Sequence, residues 1–259
     1  MRYLPLWGIL AVSFLIFALI SFLDHPTLLG HEFKTMGLAD RLLAERTPPI
    51  AGPEEIIITD IINDPFPVPV DTAAQTILLI GDSMLEGIGP RMAAYADHNG
   101  HTLYEVMWYS STSEKWGKSD KLSNYIERLN PTYIMICLGA NELFVPDIAQ
   151  KRGQYVRKIV EQAGDIPLLW IGPPNWKPDT GINNLIESTV PAGSFFLSNG
   201  MTFERSKDGA HPTRSSASLW VDSVARWMPE HSNHPIMMEK PEVSSSKAKR
   251  IFVHQPNEN

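Results

Sequence analysis

Thr76-Ile77-Leu78-Leu79-Ile80-Gly81-Asp82-Ser83-Met84 is the stretch on which the reading of this chain turns. Ile77 to Ile80 are apolar without alternation, the pattern of a strand covered on both faces. Gly81-Asp82-Ser83 then breaks the run, and residues 84–98 carry apolar side chains at helical spacing. The unit is strand, tight turn, helix.

Working outward, the same unit recurs. Short apolar runs at 103–108, 133–138, 167–171 and 194–197 alternate with helical patterns at 118–129, 147–163, 182–189 and 215–227. Strands joined by helical crossovers make a parallel sheet with helices on both faces, an α/β fold. In such sheets the chemistry gathers at the carboxyl ends of the strands.

Three strand ends carry reactive or polar groups. Ser83 at a strand-to-helix turn puts its hydroxyl at the sheet rim and its N–H at a helix N-terminus, where an oxyanion is favoured. Serine there is equally a favoured helix cap. After the third run, Gly139-Ala140-Asn141-Glu142 offers a side-chain amide that can donate to an oxyanion, or an ordinary turn. After the last run, Asp208-Gly209-Ala210-His211-Pro212 places a carboxylate three residues before a histidine, as a histidine base requires, or forms an Asp-Gly surface turn.

Taken together and in this order, the three motifs resemble those of the SGNH hydrolases, also called the GDSL esterase/lipase family, over roughly residues 76–228. The resemblance implies a three-layer α/β/α, flavodoxin-like sandwich with a central five-stranded parallel sheet. It implies Ser83 as nucleophile, His211 as base and Asp208 as its partner, with Asn141 an oxyanion donor beside the Ser83 N–H. It implies no metal and no cofactor. The family's second block, usually a glycine after the second strand, departs here to Trp108-Tyr109-Ser110-Ser111-Thr112-Ser113. Ser110 aligns with the glycine and is the expected third oxyanion donor, with Ser111 the alternative, because any non-proline residue supplies a backbone N–H. Glu142 stands where the family often has aspartate. Trp108 and Trp176, beside strand-end loops, are expected substrate contacts, since aromatic faces stack on sugar rings; core packing is the alternative for each.

Outside this unit the chain changes character. Residues 4–23 carry no charged side chain, enough for a helix to cross the ~30 Å hydrocarbon core. The run is longer than a signal-peptide core and lacks an Ala-x-Ala end. An uncleaved anchor is expected, with residues 1–3 cytoplasmic by virtue of Arg2 and everything after Asp24 outside. Residues 24–75 read as a connector, with helical spacing over 28–46 and a Pro65, Pro67, Pro69 stretch of extended chain. Residues 76–230 form the expected catalytic domain, and 231–259, polar with Ser244-Ser245-Ser246, an expected disordered tail.

Composition excludes several function classes. Lys+Arg 22 against Asp+Glu 29 gives a net charge of -7, against a nucleic-acid binder, which needs a basic face. The single cysteine, Cys137, excludes an intramolecular disulfide and a cysteine-based zinc site. The histidines show no His-x-x-x-His spacing. The expectation is a single-pass protein of the inner (cytoplasmic) membrane. Its catalytic part would lie in the periplasm or outside the cell and remove small O-acyl groups, such as acetyl, from an envelope glycan. One alternative is an O-acetyltransferase with the same triad, beside a multi-span membrane acyltransferase partner. The other is a non-catalytic glycan-binding protein on a degenerate hydrolase fold.

Overall fold

The computed structural model describes residues 68–258 and two short strands near the N-terminus. The chain divides into two units, Met1–Ile62 and Asn63–Asn259. In the first, β1 (Thr27–Leu28) pairs antiparallel with β2 (His31–Glu32). This ladder stands where the helical spacing over 28–46 begins; the rest of that segment lies outside the described residues. So do the cytoplasmic residues 1–3, the expected span at 4–23 and most of the connector. Among the described residues no helix is long and apolar enough to cross a membrane.

The second unit runs β3 (Thr76–Gly81), α1 (Leu85–His98), β4 (Thr102–Trp108), α2 (Ser113–Lys118), α3 (Lys121–Leu129), β5 (Tyr133–Cys137), α4 (Ile148–Ala163), β6 (Leu168–Ile171), α5 (Ile182–Glu187), β7 (Phe195–Phe196), α6 (Arg214–His231) and β8 (Arg250–His254). The strands pair in the order β7-β6-β5-β3-β4-β8, every pair parallel. The α/β class and the parallel sheet are as the sequence pattern requires. The strand count is corrected: the sheet has six strands, because β8 adds to the outer edge of β4, with Trp108 opposite His254.

β8 also corrects the expectation of a disordered tail over 231–259. Ile251-Phe252-Val253 within Arg250–His254 has strand propensity at three consecutive positions, but its polar surroundings hide this in the sequence. Only its Phe252 face finds cover, packed at 4.9 Å from the Tyr125 ring, while Ile251 and Val253 remain about half exposed. A one-faced edge strand has too short an apolar period to be read from sequence alone.

Strand alternation divides the core into two. Ile77 and Leu79 face α1 and α6, whose Leu85, Ile88 and Met92, and Trp220, Val221, Val224 and Met228, recur every three or four residues. Leu78 and Ile80 face the opposite layer, with Leu122 of α3, Val156 and Ile159 of α4, and Ile182 and Ile186 of α5. These are three layers, α/β/α. Gly81 is required at the end of β3, because a Cβ there would collide with the carbonyl of Cys137 on β5.

A carboxyl group sits in the layer between β4 and α1. Glu105, in the middle of β4 and 3 % exposed, points at Gly89 of α1, where any side chain would strike its carboxyl group. Burial pushes its pKa up to about 7. The folded state therefore binds a proton that the unfolded chain releases near 4.5, and stability from this group falls as pH rises from about 4.5 to about 7. Glu105→Gln is expected to stabilise the protein at pH 8, by on the order of 2 kcal/mol, and to do so much less at pH 5. Urea unfolding at both pH values checks this; equal effects at the two would show that the carboxyl is not held protonated by the fold.

Candidate active site

The site is built where β3, β4, β5 and the segment before α6 end on one rim. Ser83 follows β3, and its hydroxyl does not cap α1: no side chain caps that helix, whose flanking residue is Met84. Instead Ser83 Oγ lies 2.8 Å from His211 Nε2, and His211 Nδ1 lies 2.8 Å from Asp208 Oδ2. The serine, histidine and aspartate expected from the motifs thus meet in a line.

The loop bearing Asp208 and His211 is a small closed ladder. Arg205 bridges antiparallel to Pro212, the Ser206 N–H donates to the His211 carbonyl at 2.8 Å, and the Thr213 hydroxyl caps α6. Arg205 fastens this loop to the one after β6 by donating to the carbonyls of Ala210, Pro174 and Asn175 at 2.7, 3.1 and 3.0 Å. Asp208 accepts the backbone N–H groups of His211 and Ala210 as well as the imidazole, and these bonds lower its pKa to about 2. It therefore stays ionised beside His211 across ordinary pH, although half of its side chain meets solvent.

The geometry separates the two serines of the second block. The Ser111 N–H donates to the Trp108 carbonyl at 3.1 Å, so it is occupied. Among the described residues the N–H groups of Ser83 and Ser110 have no acceptor. Ser110 stands at φ +54, a left-handed conformation that favours glycine. Both serines line a cavity of about 430 Å³ with Met84, Tyr109, Asp208 and His211. A larger cavity, about 560 Å³, lies at the amino ends of the strands near Gln75 and Tyr133, away from Ser83.

Asn141 is at the rim, and its amide is already bonded: Nδ2 donates to the Ser111 carbonyl at 2.9 Å and to Asp82 Oδ2 at 3.2 Å. Asp82 is fully buried, which raises its pKa to about 7 against the opposing Met84 N–H bond. Glu142, also fully buried, accepts the Ser113 N–H and hydroxyl and Arg152 Nε, each at 2.8 Å. Burial raises its pKa against those bonds. A glutamate reading as a minor departure in the sequence thus staples the loop after β4 to the loop after β5.

The two tryptophans part company. Trp108 is corrected as a substrate contact: it is 2 % exposed, edge-on to Trp116 at 5.5 Å, and spends its N–H on the Gln255 carbonyl. Its position at the end of β4 faces it into the layer of α2 rather than the cavity. Trp176 is half-buried, donates to the Ala140 carbonyl at 2.9 Å, and meets the exposed Phe144 ring edge-on at 6.2 Å, with Lys177 Nζ over both rings. Trp176 does not line the Ser83 cavity. Tyr109 does, its hydroxyl bonded to Glu86. Phe144 and Arg205 are not legible as site residues in the sequence; their one signal is adjacency to the Gly139-Ala140-Asn141 and Asp208–His211 motifs. Among the described residues no cluster of His, Cys, Asp or Glu could hold a metal ion.

Comparison with known proteins returns structures but no sequence relatives: no family model and no curated protein matches. The chain is similar to the psychrotrophic esterase EstA from Pseudoalteromonas sp., at 21% identity and TM-score 0.45 over 59% of this chain and 97% of that one. It is also similar to a lipolytic protein of the G-D-S-L family from Desulfitobacterium hafniense, at 16% identity and TM-score 0.40 over 58% and 98%. A third match is the salicylyl-acyltransferase SsfX3 from a tetracycline biosynthetic pathway, at 14% identity and TM-score 0.40 over 60% and 55%.

Glu142→Ala is expected to cost about 2 kcal/mol of stability, because it leaves two Ser113 donors without an acceptor and Arg152 with Glu114 as its remaining carboxylate partner. Glu142→Gln, which keeps an acceptor for Ser113, is expected to cost less. Denaturant unfolding of both variants checks this; a loss below about 1 kcal/mol for the alanine variant would show that the staple is not what joins these loops.

Proposed function

We propose that this chain is a serine-dependent carboxylic-ester enzyme of the SGNH type. The observation that carries the reading is the Ser83–His211–Asp208 line, 2.8 Å at each step, beside a cavity lined by Ser83 and Ser110, whose N–H groups have no acceptor among the described residues.

In this reading His211 Nε2 takes the Ser83 proton as Oγ attacks the ester carbonyl. The oxyanion is received by the N–H groups of Ser83 and Ser110 and by Asn141. Asn141 has two amide protons, both in use; the longer bond, to Asp82, is the one an oxyanion displaces. Asp208, ionised down to about pH 2, holds the imidazole tautomer and offsets the imidazolium charge. The tetrahedral adduct collapses and His211 protonates the leaving alcohol. A water, or a sugar hydroxyl in the transferase alternative, then attacks the acyl-serine with His211 again as base.

The substrate class we infer is a small O-acyl group on a cell-envelope glycan, with the enzyme held at the inner membrane by residues 4–23 and acting outside the cytoplasm. What supports this is the charge-free N-terminal run, a cavity of modest size, and the exposed Phe144 ring beside Trp176 at the rim.

4-Nitrophenyl acetate hydrolysis by the wild type and by Ser83→Ala tests the reading: turnover in the first and none in the second is expected. Asn141→Ala is expected to lower kcat by about a hundredfold or more, and Asp208→Asn by at least about as much. Turnover that survives Ser83→Ala would sink the proposal. Free acetate against acetylated acceptor, measured with an added oligosaccharide, separates hydrolysis from transfer.

A further inference from the structure

Ser110 lines the cavity in a backbone conformation that a serine disfavours. A glycine at that place takes φ +54 freely, whereas a serine needs its neighbours to impose it. On the inner side, Asn141 bonds the Ser111 carbonyl and Glu142 bonds Ser113. On the outer side, the Tyr109 hydroxyl bonds Glu86 of α1 and the Trp116 indole donates to the Ser111 hydroxyl, but the bonds to the backbone and ring of residues 108 and 109 from outside the loop come from the C-terminal strand and the turn that follows it. The Tyr109 N–H donates to the His254 carbonyl at 3.0 Å, Trp108 Nε1 to the Gln255 carbonyl at 3.0 Å, and Lys115 Nζ to the Pro256 carbonyl at 2.7 Å.

That turn is itself locked. His254 Nδ1 lies 2.7 Å from Glu258 Oε2 and its Nε2 lies 2.9 Å from the Tyr125 hydroxyl, while its ring stands edge-on to Trp108 at 6.2 Å. Glu258 also accepts the Gln255 N–H at 3.0 Å. Both imidazole nitrogens are therefore spent on fixing the segment whose carbonyls hold residues 108 and 109.

We propose that β8 and its following turn position the oxyanion hole, with His254 as the positioning residue: the strand imposes on Ser110 the backbone conformation that a glycine would adopt unaided. The inference rests on the esterase reading for its kinetic consequence. Its structural part stands apart from that reading. The sixth strand and the altered second block, two departures that look unrelated in the sequence, are on this view one device. A chain with serine at this position needs an outer brace for the loop, and the C-terminal segment supplies it.

A double-mutant cycle on the full chain tests this, with wild type, His254→Ala, Ser110→Gly and the double variant assayed on 4-nitrophenyl acetate. His254→Ala is expected to lower kcat about tenfold or more with KM changed less than about threefold, and to cost less than about threefold in the Ser110→Gly background. A purely structural strand would lose equally in both backgrounds, and that result, or no loss in either, overturns the proposal. Tyr125→Phe, which removes a single bond to His254, serves in place of His254→Ala if the latter does not fold, with a smaller loss in the same pattern. Amide hydrogen exchange supplies a readout that needs no turnover: His254→Ala should speed exchange across residues 108–113 while leaving α6 unchanged. Absent Ser83-dependent turnover in the wild type would defeat the esterase reading, whereas unchanged exchange over 108–113 would defeat this one.

Discussion

The side-chain amide of Asn141 ties together the ends of three strands. One of its protons goes to Asp82 in the turn after β3, the other to the Ser111 carbonyl in the loop after β4, and Asn141 itself follows β5. Parallel strands put these three ends on one rim, but nothing in a parallel ladder fixes the loops beyond it. The amide does, and Glu142 repeats the connection one residue on through Ser113. The turn that carries Ser83 and the loop that carries Ser110 therefore share one hydrogen-bonded frame, and the loop with Asp208 docks against it through His211.

Within that frame the fold treats carboxylates in opposite ways. Asp208 is open to solvent yet held ionised by two backbone N–H groups and an imidazole, which brings its pKa to about 2. Asp82 is sealed beneath the same site, and desolvation carries it to about 7. The exposed acid keeps its charge beside the His211 ring. The buried one accepts from Asn141 Nδ2 and the Met84 N–H, and its desolvation favours the protonated form.

The C-terminal segment shows how an edge strand can belong to a site it never enters. β8 buries little apolar surface of its own, since Ile251 and Val253 stay about half exposed. Its value to the structure lies in backbone and ring bonds to the loop after β4, through His254, Gln255 and Pro256. Sheets accept such a strand readily because the outer edge of β4 offers unpaired amide groups, and a parallel partner removes that edge.

The sequence by itself determined the alternation of buried strands and helices, because unbroken apolar runs such as 76–80 and helical spacing such as that of α6 are local patterns that burial on both faces demands. Its three ordered motifs, through their resemblance to those of the SGNH hydrolases, also pointed to Ser83, Asn141, Asp208 and His211 as one group. Only the tertiary structure decided the rest. Ser110 rather than Ser111 faces the cavity because the Ser111 N–H is spent on Trp108, a bond no spacing reveals. Trp108 turned inward and Trp176 half-inward because neighbouring layers covered them, and ring burial depends on what packs across from a loop rather than on the loop's own residues. The sixth strand escaped the pattern for the same reason: its register is set by the edge of β4 and by the His254 contacts, long-range partners on which a polar C-terminal stretch leaves no local mark.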